Sequence, residues 1–210
     1  MDPYYSDDHV TIYHGDCLKI LPELEFDAVV TDPPYGINAE ARPHGANSGQ
    51  IATWDEFVPY DLLGMFGPVS VIWFGSPIKL AEAFDRFDPT PDRTLIWAPR
   101  FTLSMSAKGG IAYRFHPIYT WRLPKQSPTV HDVLTDNTEA GNWWCHQATK
   151  PLTLMRRLVA MTEGTVVDPF MGSGTTLRAA KDLGQHAIGI ELEERYYEIA
   201  AKRCAQGVLF

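Results

Sequence analysis

The chain has 210 residues, 45% of them hydrophobic and 21% charged, with a mean hydropathy of −0.18. That composition suits one globular domain able to bury roughly 70% of its unfolded surface, and it excludes disordered, collagen-like and coiled-coil chains. A net charge of −8 excludes an even coat for nucleic acid, and no apolar run reaches the roughly 18 residues of a membrane helix.

The start, Met1-Asp2-Pro3-Tyr4-Tyr5-Ser6-Asp7-Asp8, is acidic rather than signal-like, so a cytoplasmic location is expected. Short β-rich apolar runs predict strands at 10–13, 27–31, 69–74, 94–97, 118–121, 165–167 and 187–190. Helical stripes fall between them: Ile78 to Phe87, the run after Pro151 (Leu152, Met155, Leu158, Val159), Thr175 to Leu183 with Gly184 as its stop, and Glu194 to Cys204. Strands alternating with helices predict an α/β fold with a mostly parallel sheet. Two stretches are irregular. Residues 36–59, with Gly36, Gly45 and Gly49, read as a long mobile loop able to act as a lid, and residues 124–148 carry Trp143-Trp144.

The charge is unevenly spread. Arg93, Arg100, Lys108, Arg114, Arg122 and Lys125 occur in a segment with no Asp or Glu, giving +6 there and −14 elsewhere. Trp97, Phe101, Tyr113, Phe115, Tyr119 and Trp121 lie in the same segment, types that stack on bases or fill a core. The segment therefore reads as a nucleic-acid surface. Cys17, Cys145 and Cys204 lack Cys-x-x-Cys spacing and the seven histidines lack ligand spacing, so no metal is expected.

Two strand ends carry chemistry. Asp168-Pro169-Phe170-Met171-Gly172-Ser173-Gly174-Thr175-Thr176 follows one strand and opens a helix, a turn whose N–H groups suit a nucleotide-like ligand. It lacks the Lys of a P-loop, the third Gly of a dinucleotide fingerprint and the first Gly of a hydrolase elbow. Glu191 ends the next strand, 23 residues after Asp168, where an acid accepts bonds from ribose hydroxyls. Asp32-Pro33-Pro34-Tyr35-Gly36 ends another strand. Its prolines cannot continue a ladder, and they hold a carboxylate, carbonyls and a ring in a rigid loop that can grip a planar amine.

Asp32-Pro33-Pro34-Tyr35 followed late in the chain by Asp168-Pro169-Phe170-Met171-Gly172-Ser173-Gly174 resembles the S-adenosylmethionine-dependent DNA amino-methyltransferases. Within these it is similar to the permuted β class, in which the catalytic tetrapeptide precedes the cofactor turn. His14-Gly15-Asp16-Cys17-Leu18, His146 to Pro151 (the His-x-x-x-Lys-Pro element) and Ile188-Gly189-Ile190-Glu191 match further family elements, in order. Ala148 departs from the Thr that the family often has there.

The resemblance implies a Rossmann-like methyltransferase fold in one domain, 1–210, with a seven-stranded, mostly parallel sheet, helices on both faces and circularly permuted motif order. It implies methyl transfer to an exocyclic amine of a base flipped out of double-stranded DNA. Asp32, Pro33, Pro34 and Tyr35 would be catalytic. Asp16, Lys150, Asp168, Phe170, Gly172, Ser173, Gly174, Thr175 and Glu191 would hold S-adenosylmethionine, with Asp16 on adenine, Asp168 on the α-ammonium and Thr175 on the carboxylate. Asp rather than Ser at 32 points to adenine N6 over cytosine N4. The recognition segment, about 99–148, is small, which implies a short site or help from a second subunit, and fits an orphan enzyme of a bacterium or phage. An RNA methyltransferase and a catalytically silent DNA-binding protein are the rival readings.

Overall fold

In the computed structural model, residues 2–37, 58–100, 114–126, 129–137 and 149–207 are described. Most of the expected lid (38–57) and of the expected recognition segment (101–113, 127–128, 138–148) lies outside them.

All seven predicted strands form, at β2 (Val10–His14), β3 (Ala28–Thr31), β4 (Ser70–Phe74), β5 (Arg93–Trp97), β6 (His116–Trp121), β8 (Val166–Asp168) and β9 (Ala187–Glu191). Two further strands of two residues each, β1 (Tyr5–Ser6) and β7 (Val133–Leu134), flank them in one sheet ordered β1-β2-β9-β8-β3-β4-β6-β5-β7. Strands β2, β9, β8, β3 and β4 are mutually parallel; β6 runs against β4 and β5, and β1 against β2.

Helices cover both faces, which is why the central strands read as unbroken apolar runs. Alternation splits each strand between two cores. Ala28, Val30, Ile72, Phe74 and Ile118 face α3 (Leu152–Val159), α4 (Thr175–Asp182) and α5 (Glu194–Ala205). Val29, Val71, Trp73, Tyr119 and Trp121 face α1 (Cys17–Ile20), α2 (Leu80–Arg86) and the 3-10 turn Tyr60–Met65. Phe87 knits this second core, its ring centroid 4.9 Å from those of Tyr60 and Trp121, 5.3 Å from Tyr119 and 5.5 Å from Trp73.

Five parallel neighbours end on one edge, the position where open α/β sheets bind ligands. That edge carries, in spatial order, Asp16 after β2, Glu191 on β9, Asp168 on β8, Asp32 after β3 and Gly75 after β4. Antiparallel β6 brings its first residue, His116, to the same edge.

Candidate active site

Asp168 joins the two halves of the edge. It is 2% exposed, and Oδ1 accepts from Thr31 Oγ1 (2.9 Å) and Phe170 N (3.1 Å) while Oδ2 accepts from Thr176 Oγ1 (2.5 Å). Burial outweighs these bonds and, with the charge of Asp32 nearby, pushes the carboxyl up to about 7. Thr31 directly precedes Asp32, so the bond stitches the tetrapeptide's strand to the strand of the glycine turn. Asp168, expected on a ligand's ammonium, has both oxygens bonded within the protein.

Gly172 and Gly174 adopt left-handed φ values of 50° and 76°, for different reasons. A Cβ on Gly172 would meet nothing within 4 Å, so the space over the turn is open to a ligand. A Cβ on Gly174 would come within 2.7 Å of Ala200 Cβ, because α5 packs directly on the turn. Glu191 braces the turn: Oε2 accepts from Gly172 N (2.9 Å) and Oε1 from Glu193 N (2.8 Å), and burial raises its carboxyl. Asp16 caps α1, accepting from Leu18 N at 3.0 Å, and Phe170 is half-buried against the second core. Two hydroxyls of the turn, Thr175 Oγ1 (2.7 Å) and Ser173 Oγ (3.3 Å), take bonds from the Arg203 guanidinium. Sequence reasoning missed Arg203. Its one signal is the position three residues after Ala200 on α5, the same helix face.

Next to the turn, Pro33 is buried and Pro34 half-buried, and Asp32 extends from β3. The Tyr35 hydroxyl donates to Asp32 Oδ1, and the Lys150 ammonium forms an ion pair with Oδ2. Lys150 Nζ also lies 3.3 Å from the Tyr35 hydroxyl and 5.0 Å from the Phe74 ring centroid. The side chain of Lys150 is 8% exposed and that of Asp32 23%. Lys150, expected on the cofactor, therefore sits on the tetrapeptide. His146, from the same sequence element, lies outside the described residues.

The basic run does not form one surface. Arg93 starts β5 and Arg122 follows β6, so both lie at the edge opposite Asp32. Arg122 is fixed there at φ 52°, its Nε donating to Val69 O (2.7 Å) and Nη2 to Gly67 O (3.1 Å), and it lines a groove with Pro124, the neighbour of Lys125. Arg100 and Arg114 flank the strand ends at the Asp32 edge, exposed and joined by a 2.7 Å bond from Arg114 Nη2 to Arg100 O. Lys108 lies outside the described residues. Proximity in sequence across a β5–β6 pair is not proximity in space.

The chain is 27% identical to the type II methyltransferase M.ScaI of Streptomyces caespitosus, over 96% of this chain and 83% of that protein. It is 26% identical to the type II methyltransferase M.HinfI of Haemophilus influenzae, over 92% and 67%. Among solved structures it shares the fold of M1.HpyAVI, solved in complex with SAM, with a TM-score of 0.68 and 24% identity over 92% of this chain and 99% of that one. It also shares the fold of the PvuII DNA methyltransferase, described as cytosine-N4-specific, with a TM-score of 0.72 and 17% identity over 99% and 90%. Residues 67–202 match the N6_N4_Mtase family, described as DNA methylase, and the chain belongs to that family of amino-methyltransferases.

Proposed function

We propose that the protein transfers a methyl group from S-adenosylmethionine to the exocyclic amine of a base in duplex DNA, adenine N6 in preference to cytosine N4. The observation that carries this reading is the Thr31–Asp168 hydrogen bond, which sets an amine-gripping loop beside an open glycine turn. S-adenosylmethionine, when bound, supplies an electrophilic methyl on a cationic sulfonium. Asp16, Phe170, Gly172, Ser173, Gly174 and Glu191 are the residues proposed to hold it, and the open space over Gly172 leaves room for that guest. Asp168 and Thr175 serve by fixing the turn's shape.

An exocyclic amine is a poor nucleophile because its lone pair is delocalised into the base. Hydrogen bonds from the amine to the Asp32 carboxylate and the Pro33 carbonyl draw the nitrogen towards tetrahedral geometry and free that pair. A carboxylate has about four acceptor sites, and Tyr35 and Lys150 occupy two, so Asp32 keeps capacity for the amine. The N–H proton hydrogen-bonded to Asp32 is the one that the nitrogen sheds once it carries the methyl, and the carboxylate is placed to accept it. Rate enhancement comes from positioning and from charge aimed at the nitrogen. Reaching Asp32 requires the base to leave the duplex, and stacking on Tyr35, worth roughly 1–3 kcal/mol, offsets part of the unstacking cost. Asp at position 32, where the family's cytosine enzymes usually carry Ser, supports adenine.

The test is transfer of tritiated methyl to unmethylated duplex DNA and to RNA, followed by nucleoside analysis. N6-methyladenine in DNA is expected. N4-methylcytosine would overturn the choice of base, and label in RNA alone would overturn the substrate.

A further inference from the structure

His116 opens β6 at the edge where the parallel strands end. Ile118 pairs with Phe74, the last residue of β4, so His116 lies beyond the β4 tip, and a 2.8 Å bond from Gly75 N to Pro117 O closes that junction. Strand alternation puts His116 on the face of Ile118 and Phe74, the face on which Lys150 Nζ approaches the Phe74 ring. Trp97, directly opposite in β5, stacks on the imidazole with centroids 4.9 Å apart at 27°. The indole is itself held by a 2.8 Å bond from Nε1 to Asp136 O, so the imidazole plane rests on a fixed support.

His116 Nδ1 is buried and has no hydrogen-bond partner among the described residues. A buried polar atom left unpaired loses its bond to water and gains nothing, so Nδ1, at the strand-end edge, calls for a partner group. Burial and the neighbouring Lys150 ammonium, opposed by Asp32, hold its pKa down at about 4, which leaves a neutral ring with one donor and one acceptor nitrogen. A neutral ring suits the uncharged edge of a nucleobase better than a phosphate.

We infer that His116 is a base-contacting residue, its Nδ1 pairing with the edge of the extruded base whose amine is held by Asp32. The inference rests on the proposed function, since it needs a base beside Asp32. A residue that only filled space would act through its ring alone.

Three variants separate these roles. His116→Phe keeps the stack on Trp97 and removes both nitrogens, His116→Asn keeps a polar group near the Nδ1 position, and His116→Gln carries one near the Nε2 position. Each is measured for melting temperature, for S-adenosylmethionine affinity by calorimetry, and for kcat and KM of tritiated methyl transfer to plasmid DNA from a methylation-deficient host. The expected result is unchanged cofactor affinity in all three, a fall in kcat/KM of about 10- to 100-fold for Phe and Gln, and a smaller fall for Asn. Phe at the wild-type rate, Gln equal to or better than Asn, or a parallel loss of cofactor affinity would each overturn the inference. If Phe does not fold, the order of Asn and Gln still decides. Wild-type protein that labels no DNA would sink the proposed function itself, a result distinct from wild-type and variants labelling DNA equally.

Discussion

Thr31→Val tests the stitch between the two strand tips. Valine keeps the β-branched shape, so β3 and its packing are preserved. What disappears is the 2.9 Å bond from a fully buried hydroxyl to Asp168 Oδ1. Hydrogen bonds to charged groups contribute about 1.5–3 kcal/mol, and with no solvent to replace this one the loss belongs at about 2–3 kcal/mol. For a chain of this size that lowers Tm by roughly 4–12 °C. The effect also carries a pH signature. Asp168 titrates at about 7 in the folded protein, against about 3.9 in an unfolded chain. Between those values the folded state holds the extra proton, so this group's contribution to stability is full below about pH 4 and is lost as pH rises through 7. The Thr31 hydroxyl favours the charged form, so its loss should cost about 1 kcal/mol at pH 5 and about 2–3 kcal/mol at pH 8. Denaturant unfolding at both pH values, on Thr31→Val, Asp168→Asn and the double variant, measures this directly. Asp168→Asn should flatten the pH dependence and couple to Thr31→Val. Equal costs at the two pH values, or no coupling, would refute the reasoning.

The other perturbations separate residues that look alike in sequence. Gly172→Ala should cost about 1–2 kcal/mol for its left-handed φ yet weaken S-adenosylmethionine binding at least tenfold by calorimetry, because its methyl enters the open space. Gly174→Ala adds the clash with Ala200 and should lower Tm by several degrees more in a thermal melt. Lys150→Met should reduce methyl transfer at least tenfold without changing cofactor affinity, and destabilise the fold by about 1–3 kcal/mol, less than a fully buried pair because Asp32 is partly exposed. In DNA-binding titrations over salt, Arg100→Ala with Arg114→Ala should reduce the salt slope by about 1–2. Arg93→Ala should leave that slope unchanged, and Arg122→Ala should lower Tm instead.

The strands were legible because each is a short run of β-branched and aromatic residues, such as Val71-Ile72-Trp73-Phe74, buried on both faces. β1 and β7, two residues each, and α1, four residues long, are too short to carry a period. Where the turns after β3 and β8 leave the sheet was legible too, since prolines and glycines punctuate them. Partners were not. Thr31 and Asp168 are 137 residues apart, and Lys150 and Asp32 118, and no local pattern encodes which acid a distant cation meets. The basic run misled for a related reason. β5 and β6 run in opposite directions across the sheet, so charges at their outer ends are separated by the full strand length from those between them. The matches to family elements nominated candidate residues for the site, and the geometry shows which of them bond within the protein.

The account stands on Asp32 acting on the amine and not on the cofactor. Asp32→Ala and wild-type protein compared side by side, S-adenosylmethionine affinity by calorimetry and methyl transfer to unmethylated DNA by tritium, test this most directly. Affinity within about threefold of wild type, with transfer abolished, is the predicted result. Transfer at the wild-type rate, or loss of cofactor binding together with transfer, would contradict it.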